Sequence, residues 1–142
     1  MLPEKELLQY IHKTADMGVD GIDSVLNRVT DQRLKAALEN RKTQYSQIRQ
    51  EAADQLNQQG DKPSDANPMA KLSAEMMSAG KLAVNPTPSK IAEMTIQGAT
   101  MGVTKTIKHL KDYQGNAENV RQLGQRLLDI QEKNVEEMKA FL

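Results

Sequence analysis

The sequence predicts an all-α fold, a four-helix bundle whose helices run up, down, down and up with a short helix in a long crossover. Four long segments carry apolar residues at three- and four-residue steps, the spacing of one helical face. Aromatic residues make up 3% of the 142 residues and cysteine is absent, so the core must be aliphatic, with methionine filling gaps. A chain of this length forms one domain by default, here 1–142.

The first predicted helix covers about residues 3–27. Its apolar positions on one face are Leu8, Ile11, Ala15, Gly18, Ile22 and Val25. Gly18 lies in the middle of that face, where glycine costs about 1 kcal/mol relative to alanine. We therefore interpret Gly18 as a point where a neighbouring helix packs closely.

The second predicted helix covers about residues 31–59, and its core stripe contains one charged residue. The stripe comprises Leu34, Leu38, Arg41, Tyr45, Ile48, Ala52 and Leu56. Arg41 either lays its aliphatic stem on the core with its guanidinium in water, or is a buried cation in a polar pocket.

A crossover of about 28 residues follows. It begins with the turn-rich residues 60–67, and a short helix is predicted over about residues 68–82. Pro86 and Pro88 then favour extended backbone at the residues before them.

The next predicted helix, about residues 88–113, begins with Thr87 as its N-cap and Pro88 at its first position. Its apolar residues form two stripes, which is typical of the enclosed, central helix of a bundle. Gly98 and Gly102 lie near its middle, and we expect them to meet Gly18 where the first helix crosses closely. Polar residues interrupt the segment too often for it to cross a membrane.

The last predicted helix covers about residues 117–141. Its inward positions are Val120, Leu123, Leu127, Ile130, Asn134 and Met138, and Gln131 also lies on that face. Short connections make the first two and the last two long helices antiparallel hairpins. The crossover is long enough to return the chain along helices of roughly 38 Å.

Two segments carry a family resemblance: IAEMTIQGATMGV, residues 91–103, and LLDIQEKNVEEMKAFL, residues 127–142. With the crossover, they make the chain resemble small uncharacterised bacterial proteins of the ferritin-like superfamily. Ferritin-like di-iron enzymes hold metal with Glu and Glu-x-x-His side chains. Here the candidate positions carry Gln131 and Asn134, and neither His12 nor His109 completes such a motif. The resemblance therefore implies a metal-free scaffold, and we expect no cofactor.

A mid-bundle polar layer is the candidate site. It comprises Arg41, Tyr45, Gln131 and Asn134, with Glu93 nearby. We interpret it as a structural hydrogen-bond layer that fixes helix register. The alternative is a small polar pocket that binds a ligand.

Composition limits the classes of partner and the cellular compartment that we expect for this protein. Nineteen basic residues balance 19 acidic residues and no basic block occurs, so we expect neither a nucleic-acid nor a membrane partner. The first residues contain no apolar signal region, and the absence of cysteine suits a reducing compartment, so we expect a cytoplasmic protein.

These observations predict a non-catalytic bundle, a structural or protein-interaction module that self-associates as a homo-oligomer. One alternative is a metal-dependent oxidoreductase of the di-iron or di-manganese type, with a site built from Glu93, Asp16 or Asp20, and His12. A second alternative is a small-molecule carrier that uses the polar layer.

Overall fold

The computed structural model of the protein describes residues 2–64 and 86–142, and the described residues form four long α-helices without a strand. These are α1 (Glu4–Leu26), α2 (Gln32–Gln58), α3 (Pro88–Asp112) and α4 (Glu118–Met138), followed by a 3-10 helix, Lys139–Phe141. The expected all-α class is thus confirmed. The short helix predicted over residues 68–82 lies outside the described residues.

Local hydrogen bonds explain where α2 and α3 begin. The Asp31 carboxylate accepts bonds from the backbone N–H groups of Arg33 and Leu34, each at 2.9 Å. Thr87 Oγ1 accepts a bond from the Lys90 N–H at 3.1 Å. Both side chains satisfy N–H groups that have no partner within the helix. After α2, the chain turns through Gly60, whose φ of +78° favours glycine.

Contacts between the helix ends define how the helices lie together. The Leu2 N–H donates to the Asp112 carbonyl at 2.9 Å, so α1 begins where α3 ends. Lys5 pairs with Asp61 at 3.1 Å, so α1 begins beside the end of α2. The Asn119 side chain bonds to Gln55 at 3.0 Å, which brings the start of α4 to the last turns of α2.

Helix α3 is not the enclosed, central helix that its two apolar stripes predict. Helix α4 contacts all three other helices and buries nine residues. Helix α3 buries only Ile91, Ala92, Ala99 and Thr106. At about 100° per residue, Ile91 and Met101 lie about 80° apart on the wheel. The stripe that begins at Ile91 therefore turns toward solvent, and Met101 is 61% exposed.

The core itself is aliphatic, as the composition indicates. Its largest fully buried side chains are Leu7, Leu8, Ile11, Leu34, Leu38, Ile48, Leu56, Ile91, Val120, Leu123, Leu127 and Met138. In the part of the chain that the structure describes, no helix combines the length and apolar character needed to cross a bilayer.

Candidate functional site: a buried polar layer

The candidate site is a layer of polar side chains enclosed by this aliphatic core. Arg41 and Tyr45 enter it from α2, Thr106 from α3, and Gln131 and Asn134 from α4; all five are buried. We call these five residues the polar layer. Because Gln131 and Asn134 lie about one turn apart on α4, they divide it into two halves.

The first half is a hydrogen-bonded chain across three helices. Thr106 Oγ1 donates to Gln131 Oε1 at 2.8 Å. Thr106 Oγ1 lies 2.9 Å from the hydroxyl of Tyr10 on α1. Since the threonine hydrogen is used on Gln131, Tyr10 must be the donor to Thr106. The Tyr10 ring also stacks on His109 of α3, with ring centroids 3.6 Å apart.

The second half joins α2 to α4. Arg41 Nη1 donates to Gln44 Oε1 at 2.6 Å, and Arg41 Nη2 lies 3.3 Å from Glu137 Oε2. Arg41 is only 2% exposed. The structure therefore favours a buried cation over a guanidinium that reaches water. The charge of Arg41 is balanced by the partly exposed carboxylate of Glu137.

Tyr45 stays protonated in this setting. Burial raises the pKa of Tyr45 to about 12, while the Arg41 charge and a hydrogen bond with Asn134 act in the opposite direction. Desolvation dominates because the phenolate would lose its hydration. At neutral pH the second half of the layer thus combines an ion pair with neutral hydrogen-bonding groups.

Two polar atoms of this half, Arg41 Nε and Asn134 Oδ1, have no hydrogen-bond partner among the described residues. The same is true of Oε1 of Glu137, the ion-pair partner of Arg41. Arg41 and Glu137 also line a shallow groove of about 490 Å³ with Glu132, Lys133 and Glu136. The first half of the layer is thus closed on itself, whereas the second has unused hydrogen-bonding capacity next to solvent.

Glu93 does not belong to the layer. Its side chain is half exposed and pairs with Lys90 at 3.6 Å. Thr106, the α3 residue that does enter the layer, lies 13 positions later, which corresponds to about 20 Å along a helix. The placement of Glu93 near the polar residues is therefore wrong.

The three glycines have different surroundings from those expected. A Cβ at Gly18 would lie 2.6 Å from the ring of Tyr45 on α2, and a Cβ at Gly102 would lie 2.5 Å from Gln131 Nε2 on α4. Nothing lies within 4 Å of a Cβ at Gly98, which is exposed. Gly18 and Gly102 thus make room for polar-layer side chains, and the expected close crossing of α1 and α3 at these glycines is wrong.

Sequence reasoning missed Thr106 and Tyr10. A signal for Thr106 was available, because Ala92, Ala99 and Thr106 follow one another at seven-residue intervals and are the buried face of α3. Tyr10 carried no such signal, since its role depends on Thr106 lying opposite.

The residues of the alternative metal site, which are Glu93, Asp16 or Asp20, and His12, do not form a cluster of metal ligands. Asp16 pairs with Arg49 at 2.9 Å. Burial lowers the pKa of His12, and burial raises the pKa of Asp20 with Asp16 adding to the effect. Within residues 2–64 and 86–142, no three His, Asp or Glu side chains are grouped so that they could hold a metal ion.

Comparison with known proteins supports the fold and no more. No family model matches the sequence, and no curated protein matches it. A crystal structure of a DUF305 fragment from Deinococcus radiodurans is similar, with a TM-score of 0.72 over 98% of this chain and 95% of that chain. Because the two sequences are 14% identical, the likeness concerns the helical fold alone.

Proposed function

We propose that this protein is a non-catalytic, cytoplasmic, ferritin-like bundle that acts as a structural or protein-interaction module and forms a homo-oligomer. The observation that carries the proposal is the polar layer. The Thr106 hydroxyl donates to the Gln131 amide, and the Arg41 guanidinium donates to Gln44. By the ferritin-like resemblance, Gln131 and Asn134 stand where a di-iron relative would present metal ligands. Such a network fixes helix register and requires no catalytic reaction.

The ferritin-like order of helix directions is supported by the contacts between helix ends. The contacts of α1 with Asp61 and Asp112 support an antiparallel arrangement of α1 with both α2 and α3. The contact between Asn119 and Gln55 supports an antiparallel arrangement of α4 with α2. The proposed order is therefore up, down, down and up, with the crossover joining α2 to α3.

Helix α3 carries the proposed self-association surface. Apart from Leu142 near the end of the chain, Met101 (61% exposed) and Ile107 (36% exposed) are the large apolar side chains that the described residues expose. Gly98, beside Met101, leaves space for close approach. If two α3 helices pair antiparallel about Met101, Glu93 of one copy lies opposite His109 of the other, one position from Lys108, and the opposite charges of Glu93 and Lys108 favour that register.

Sedimentation equilibrium of the full chain tests self-association. We expect a concentration-dependent dimer that Met101→Glu converts to a monomer, because the carboxylate would be buried at the symmetry axis. Gln47→Glu adds the same charge on the exposed face of α2 and should leave the dimer intact. A wild-type protein that stays monomeric at high concentration contradicts the proposed surface.

Metal analysis separates this proposal from the oxidoreductase alternative. Protein purified without chelator should contain no stoichiometric iron or manganese. About one metal ion per chain, lost in Glu93→Gln, would instead contradict the metal-free proposal and support the oxidoreductase alternative.

A small-molecule carrier is the second candidate. It is favoured by the unpartnered atoms of Arg41, Asn134 and Glu137 beside the groove. The structural role and the carrier role are compatible, because a ligand on the unpartnered atoms would leave the existing hydrogen bonds of the polar layer in place.

A further inference from the structure

Unpartnered polar atoms gather where α2 meets α4. Arg41 Nε, Asn134 Oδ1 and Glu137 Oε1 find no hydrogen-bond partner among the residues that the structure describes. Arg41 and Asn134 are 2% and 4% exposed. Buried polar atoms are nearly always paired. Three unpaired atoms at one junction therefore indicate that a polar molecule completes it.

The geometry of the ion pair points in the same direction. An arginine and a carboxylate commonly form two parallel bonds. Here they share one contact, 3.3 Å between Arg41 Nη2 and Glu137 Oε2, while Arg41 Nε and Glu137 Oε1 remain unused. Asn134 precedes Glu137 by three positions on α4, so its side chain lies on the same helix face.

We propose that Arg41, Asn134 and Glu137 bind a small neutral molecule that carries one hydrogen-bond acceptor and two donors, such as a primary carboxamide. This rests on the carrier role, the second candidate function. The Arg41 Nε–H donates to the carbonyl oxygen. The two amide N–H groups donate to Asn134 Oδ1 and Glu137 Oε1.

Charge selects a neutral ligand. Arg41 and Glu137 cancel each other within the site. The groove outside adds Glu132 and Glu136 against Lys133, so its rim is acidic and disfavours an anion. Because the charges of Arg41 and Glu137 cancel, the unpartnered atoms present one donor and two acceptors without net charge, and a neutral group with one acceptor and two donors matches them.

The groove lies next to the buried atoms. Arg41 and Glu137 line it, and because the three unpartnered atoms are themselves closed to solvent, a ligand enters when these two side chains shift. The Glu137 side chain is 39% exposed although its Oε1 is buried, so this carboxylate lies at the entrance.

NMR titration of the full-length, ¹⁵N-labelled protein with acetamide tests the proposal. We expect saturable shifts of the Arg41 Nε–H and Asn134 side-chain signals. N,N-dimethylacetamide keeps the carbonyl and lacks both N–H donors, so it should bind about tenfold more weakly. Equal affinity for the two compounds, or no shift at the Arg41 Nε–H, overturns the proposal.

Variants test the same site. Arg41→Lys keeps the charge and removes the Nε donor, and it should weaken acetamide binding about tenfold. Lys111→Ala, at an exposed position of α3 outside the groove, should bind acetamide as the wild type does. An Arg41→Lys protein that folds and binds with wild-type affinity contradicts the assignment.

If Arg41→Lys does not fold, a crystal structure of the wild type soaked with acetamide decides the matter. The amide bound to the three atoms supports the proposal. A retained water, or a direct bond between Arg41 Nε and Glu137 Oε1, overturns it. Self-association is measured separately, so its failure would remove the interaction role and leave this site untouched.

Discussion

At the scale of single residues, the glycines show how a neighbouring side chain decides the effect of a substitution. Gly18 and Gly98 both lie inside helices, where glycine has a low helix propensity. The Tyr45 ring occupies the space next to Gly18, while the space around Gly98 is open. Replacing each with alanine should therefore have opposite effects.

Gly98→Ala should increase the free energy of unfolding by about 0.5–1 kcal/mol, through helix propensity alone. Gly18→Ala should decrease it by about 1–3 kcal/mol, because the new methyl group would overlap the Tyr45 ring. Urea denaturation of both variants beside the wild type measures the two changes, and a shared sign would contradict the packing described for one of them.

The buried phenol of Tyr45 makes a second residue-scale prediction, on alkaline stability. Its pKa of about 12 lies above the value of 10.0 for tyrosine in an unfolded chain, so the folded state holds the proton more tightly. This contribution is fully present below pH 10 and is lost as pH rises through 12. Two pKa units correspond to about 3 kcal/mol.

Comparing the wild type with Tyr45→Phe isolates that contribution. Phenylalanine cannot ionise, so the variant should lose less stability between pH 10 and pH 12. The measurement is the urea midpoint at each pH, and parallel curves would show that Tyr45 does not ionise on unfolding in this range.

At the scale of helices, the elements and the polar layer were predictable from sequence to different extents. The four long helices follow from three- and four-residue periodicity, and Arg41 and Asn134 were identified because they interrupt apolar stripes. Apolar periodicity did not predict which face of α3 is buried. Its buried face follows Ala92, Ala99 and Thr106 at seven-residue intervals, and because these residues are small or polar, they do not stand out as an apolar stripe.

The α2 N-cap provides an element-scale prediction. Asp31→Ala removes the acceptor for the N–H groups of Arg33 and Leu34 and should destabilise the protein by about 1 kcal/mol. Thr30→Ala, at the exposed preceding residue, should have little effect. Thermal denaturation of both variants measures the difference, and equal losses would show that Asp31 does not cap the helix.

At the scale of the whole molecule, the hydrogen-bonded chain from Tyr10 through Thr106 to Gln131 ties α1, α3 and α4 together. Thr106→Val should cost about 1–3 kcal/mol, because it leaves the buried Gln131 acceptor unpaired. Adding Gln131→Leu removes that acceptor as well. The double variant should therefore lose less stability than the two single variants predict in sum, by about 0.5–3 kcal/mol. Denaturant unfolding of the four proteins measures this coupling. Additive losses would mean that the polar layer contributes independent bonds, and that register between the two hairpins is set by the aliphatic core.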